Sequence, residues 1–92
     1  MTRIRWTPAA AADLDQIKDY LIERHPDLAQ PTMLRLYAAI LSLKRMPNRG
    51  RPGRERDTRE LVLAPLPYIV AYRVKGGALE ILHVHHGARD RS

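Results

Sequence analysis

The chain has 92 residues, 45% of them hydrophobic and 28% charged, with a net charge of +6 and no cysteine. This length allows a single domain, 1–92, with a thin core, because a chain of this size buries only roughly 60–65% of its unfolded surface. Disulfides and thiolate metal sites are excluded, no apolar run approaches the ~20 residues of a membrane span, and the opening MTRIRWTPAA lacks the apolar centre of a signal peptide; a soluble, cytoplasmic protein is expected.

Residues 3–6, RIRW, alternate polar and apolar, which predicts a short half-buried strand. Thr7-Pro8 reads as a helix N-cap followed by proline at the first helical position. Ala10, Leu14, Ile17 and Leu21 then recur at helical spacing over 8–24. His25-Pro26 ends this helix, since proline disfavours helical geometry in the residue before it. A second helix follows, capped by Asp27 or beginning at Gln30-Pro31. Met33, Leu36, Tyr37, Ile40, Leu41 and Leu43 give it a broad apolar stripe, and Met46-Pro47-Asn48 stops it. Two helices joined this tightly make an antiparallel hairpin.

The next stretch, RGRPGRERDTREL (49–61), holds five arginines. Residues 1–43 balance five cations against five acids, whereas 44–92 carry eleven against five, and thirteen of the sixteen cations are arginine. Arginine's planar fork suits phosphate and carboxylate, so the second half is the expected anion-facing half. Arg49, Arg51, Arg54, Arg56 and Arg59 are expected to form one basic surface at the mouth of an open sheet face.

After this loop the period becomes strand-like. TRELVLA (58–64) ends at Pro65, YIVAYRV (68–74) is rich in β-branched and aromatic residues, and ALEILHVHH (78–86) returns after the hairpin signal Gly76-Gly77. Counting from that turn, Val74 meets Leu79, Tyr72 meets Ile81, Val70 meets His83 and Tyr68 meets His85 on one face. Arg73 meets Glu80, Ala71 meets Leu82 and Ile69 meets Val84 on the other. This register predicts an Arg73–Glu80 ion pair and a core position for His83.

The fragments GRPGR (50–54), TREL (58–61), PYIVAYRV (67–74) and ILHVHHGARD (81–90), in this order and spacing, resemble the RelE/ParE superfamily of type II toxin-antitoxin toxins, the plasmid stabilisation family. The resemblance covers nearly the whole chain. It implies an α+β fold in which an N-terminal strand and an antiparallel helical hairpin pack on a small, mainly antiparallel sheet (β-α-α-β-β-β). It also implies a growth-inhibiting toxin held in a hetero-oligomer by a cognate antitoxin, which typically wraps a C-terminal segment over the helical hairpin and sheet. ParE-like members inhibit DNA gyrase by binding; RelE-like members enter the ribosome and cleave mRNA.

Metal-free RNA cleavage needs a base for the 2′-hydroxyl, cations for the phosphorane and an acid for the leaving oxygen. Here the candidates are Arg59, Arg73 and Arg89 for phosphate and His85 and His86 for proton transfer, with His83 a third histidine for which the core position is the expected role. RelE-like nucleases carry an arginine after the aromatic residue of the third strand, where this chain has Ile69 after Tyr68. Their C-terminal tail supplies a tyrosine or histidine, where this chain has GARDRS. The expectation therefore leans towards a ParE-like gyrase inhibitor, with Arg49, Arg51, Arg54 and Arg56 meeting an anionic partner. No cofactor or metal is expected, because His83 and His85 without a nearby carboxylate make a poor metal site. A small nucleic-acid-binding module is the third reading, weakened for single strands by the lack of exposed aromatics.

Overall fold

A computed structural model describes residues 3–87. Strand β1 (Arg3–Trp6) leads into helix α1 (Pro8–Arg24), and α2 (Pro26–Ser42) follows at once, so His25 is the whole connection. Strands β2 (Arg51–Pro52), β3 (Arg59–Val62), β4 (Tyr68–Lys75) and β5 (Ala78–His86) complete the order. The expected fold class holds, with a short extra strand, β2, inside the stretch read as loop. The sheet runs β1-β5-β4-β3-β2; β1 lies parallel to β5 and all other neighbours are antiparallel. No helix among the described residues is long and apolar enough to cross a membrane.

Local chemistry explains the helix ends. Thr7 Oγ1 accepts from Ala10 N–H at 3.2 Å, as an N-cap does, and donates to Ile81 O at 2.7 Å, which ties the start of α1 to β5. The second helix starts at Pro26, earlier than Asp27 or Gln30 as caps would place it. Pro26 occupies the first turn, where a missing N–H costs nothing. Pro31 falls inside α2; it removes one early hydrogen bond, and the apolar stripe below it carries the helix on.

One sheet face is covered by the helices. Ala10 and Leu14 of α1, Leu36 and Ile40 of α2, and Leu43 just beyond it pack with Leu61, Val70, Tyr72, Leu79, Ile81 and Val84. The Gly76-Gly77 turn has φ of 58° and 77°, the left-handed pair a two-residue hairpin turn requires. From it the expected register runs true as far as Tyr72↔Ile81. A bulge then adds Leu82 to β5, and the pairs beyond become Ala71↔His83, Val70↔Val84, Ile69↔His85 and Tyr68↔His86. One extra residue exchanges the faces of everything past it. Val84, not His83, therefore fills the core, and His83 is exposed.

Candidate functional site

The arginine-rich stretch is built around a buried phenol. Tyr72, fully buried in β4, accepts the Gly50 N–H at 2.8 Å and donates to Pro47 O at 2.7 Å. Gly50 is required by this contact: a Cβ there would lie 2.8 Å from both Tyr72 Oη and Cε1 and 3.0 Å from Glu60 O. With the loop held so, Arg59 turns to the helix side and donates to Gly50 O at 2.8 Å and Asn48 O at 3.3 Å. Arg49 donates to Ser42 Oγ at 2.6 Å at the end of α2. Thus Arg49 and Arg59 brace the loop, and the five arginines do not share one surface.

The remaining loop arginines face outward. Arg51 Nε and Nη2 bond Glu60 Oε1 at 3.3 and 3.1 Å across β2 and β3. Arg51, Arg54, Glu60, Ile69 and His85 line a groove of about 410 Å³ on the sheet face away from the helices. Arg56 is exposed in the β2–β3 loop. The expected Arg73–Glu80 pair is present at 2.7 Å, and Arg5 of β1, which sequence reading did not connect to it, reaches the other Glu80 oxygen at 3.2 Å. The hydrogen bond from Arg73 holds the buried Glu80 carboxyl below the usual glutamate value, with the charges of Arg73, Arg5 and Lys75 adding to the effect against the desolvation of burial.

The proposed nuclease residues are dispersed. His85 sits opposite Ile69, four residues along β4 from Arg73, a separation of roughly 13 Å at strand spacing. His86 lies opposite Tyr68 on the helix side, its ring edge-on to that phenol at 5.9 Å. It lines a groove with Tyr20, His25 and Leu28 at the hairpin tip, which His85 also borders but none of the candidate arginines among the described residues does. Arg59 and Arg73 do share a second groove, with Asn48 and Lys75, but neither histidine reaches it. Arg89 lies outside the described residues. No three His, Asp or Glu side chains converge as a metal site among the described residues.

One further feature escaped the sequence reading, and a second divides the apolar stripe it gave α2, leaving Tyr37 and Leu41 exposed. Past the end of β1, the edge of β5 is closed by side chains: Asp13 Oδ2 accepts the Val84 N–H at 3.0 Å and lies 3.3 Å from His83 Nδ1. On α2, Leu34, Tyr37 and Leu41 form an exposed apolar stripe at helical spacing, and Tyr37 meets Trp6 edge-on at 6.3 Å.

The sequence profile described as "ParE toxin of type II toxin-antitoxin system, parDE" matches residues 4–91. The chain belongs to this toxin family. It is 44% identical to "Putative toxin Y4kP" of Sinorhizobium fredii over 85 residues, 90% of this chain and 88% of that protein. It is 42% identical to "Toxin RelE2" of Caulobacter vibrioides over 89 residues, 97% of this chain and 99% of that one. Its fold matches a chain of the "Chromosomal ParDE TA system from P. aeruginosa" with a TM-score of 0.86 and 31% identity, covering 94% and 96% of the two chains. A chain of the Mycobacterium tuberculosis toxin-antitoxin complex RelBE2 matches in fold at a TM-score of 0.61, covering 92% of this chain and 96% of that one. It is a type II toxin of the RelE/ParE superfamily.

Proposed function

We propose that this toxin inhibits DNA gyrase by binding and is held inactive by a cognate antitoxin. The observation that carries the reading is the dispersal of the nuclease candidates among the described residues. Arg73 and His85 stand about 13 Å apart on the open face, Arg59 shares a groove with Arg73 but with neither histidine, and His86 turns to the helix side. Cleavage needs base, acid and phosphorane-stabilising cations around one phosphate. The likeness to a ParDE toxin-antitoxin system adds support. The Leu34–Tyr37–Leu41 stripe offers the apolar surface that a wrapped antitoxin segment would bury. In a supercoiling assay, saturating toxin stops gyrase and added antitoxin restores it; undisturbed supercoiling at saturating toxin ends this reading.

One observation favours a ribosome-dependent mRNA nuclease instead. The 410 Å³ groove joins two groups of the kind that move a proton, Glu60 and His85, with two cations of the kind that hold phosphate, Arg51 and Arg54, the first of them bonded to Glu60. On that reading His85→Ala abolishes message cleavage in a translating extract, and an intact message in the presence of the unaltered toxin dismisses it.

A further inference from the structure

The sheet face away from the helices carries charge in two layers. Close to the backbone lie Glu80 and Glu60, whose side chains are 8% and 15% exposed; over them stand Arg5 at 66%, Arg73 at 39% and Arg51 at 59%. Glu80 lies in a row between Arg5 of β1 and Arg73 of β4. In the adjacent row Arg3 and Lys75, both exposed, flank Ala78. Four cations thus surround one carboxylate on three neighbouring strands, a patch roughly 10 Å across at strand spacing. A single carboxylate cannot neutralise them. It fixes two guanidinium groups and leaves a net positive outer layer.

We propose that Arg3, Arg5, Arg73 and Lys75 form a binding site for the phosphate backbone of double-stranded nucleic acid, with Glu80 as the positioning residue beneath it. Guanidinium forks held in place suit phosphate oxygens. The composition argues against a protein occupant: protein interfaces centre on apolar and aromatic anchors with few charges, whereas this face has charge on its middle strands and, among the described residues, small or scattered apolar neighbours such as Ala71, Ala78, Val62 and Ile69. Protein–DNA interfaces are more polar and strongly positive. A single-stranded ligand would want stacking platforms, and among the described residues this face carries no Trp or Tyr, with His83 and His85 as its aromatic rings. Trp6, Tyr20 and Tyr37 lie with the helices, and Tyr68 and Tyr72 are buried in the core. The site is separate from the Arg51–His85 groove and from the apolar α2 stripe.

This inference goes beyond gyrase inhibition and is tested without gyrase, so either can fail alone. A short fluorescent DNA duplex is titrated with the full chain by anisotropy at several salt concentrations. Four phosphate contacts give a slope of log K against log salt of about −3 to −4, and Arg3→Gln with Lys75→Gln lowers it by about 2 and weakens binding roughly tenfold. That pair leaves the Glu80 contacts intact. Arg5→Gln with Arg73→Gln produces a similar loss, read only after a melt confirms folding. Lys18→Gln, which removes an exposed charge on α1, leaves the slope unchanged. The proposal is overturned by an equal loss in Lys18→Gln, by tighter binding of single-stranded RNA or of an oligoglutamate peptide than of duplex, or by complete displacement with millimolar inorganic phosphate.

Discussion

Tyr72→Phe isolates the hydroxyl that organises the arginine-rich loop. Tyr72 is fully buried, so the ring keeps its packing and no cavity opens. Two hydrogen bonds vanish, from Gly50 N–H at 2.8 Å and to Pro47 O at 2.7 Å. The Pro47 carbonyl loses about 1 kcal/mol, and the stranded buried N–H of Gly50 costs about 1–2 kcal/mol more. The sum, about 2–3 kcal/mol, lowers the melting midpoint by roughly 10–20 °C in a domain of this size. Thermal and urea melts measure it, and hydrogen exchange at Gly50 accelerates. Gly50→Ala drives a Cβ to 2.8 Å from the same phenol, so the two substitutions together cost less than their separate effects added. A loss under about 0.5 kcal/mol for Tyr72→Phe, within the range of an ordinary surface change, would refute the idea that this phenol holds the loop.

Three more outcomes are expected. Because the folded Glu80 carboxyl is held below its ordinary value of 4.5, its contribution is present above the unfolded value and is lost as pH falls through the lowered folded value; Glu80→Gln therefore flattens the acid limb of a stability–pH curve, and an unchanged limb contradicts the pairing. Asp13→Ala leaves the Val84 N–H without its acceptor and costs about 1–2 kcal/mol in urea unfolding, whereas Asp13→Asn, which keeps an acceptor oxygen, costs less. Leu36→Ala, at a fully buried position beneath the sheet, costs about 2–5 kcal/mol; a loss under about 1 kcal/mol would mean that α2 does not pack as described.

What could be read from residues alone follows from how local the signals are. Thr7-Pro8 and Gly76-Gly77 act within a few residues, and both the N-cap and the hairpin turn stand where they point. The Arg73–Glu80 pair lies seven residues apart across that turn, before the bulge, and was legible. Past Leu82 the counting fails, because no residue type announces a bulge and one inserted residue exchanges the faces of Val84 and His85. Arg5 was hidden for another reason: the parallel pairing of β1 with β5 depends on how the helical hairpin crosses the sheet. Arg59 looked like its neighbours in the loop. Only the Tyr72 phenol, through Gly50 and Pro47, brings within its reach the carbonyls that turn it inward. The toxin family itself was legible, because it rests on the order of several motifs rather than on any one contact.

Plasmid topology and message integrity, read from one coupled transcription–translation extract dosed with the purified toxin, test the central claim most directly. Relaxed plasmid accumulating while messages stay full length is the predicted result. Messages cut at discrete sites on ribosomes, with supercoiling undisturbed, would contradict it.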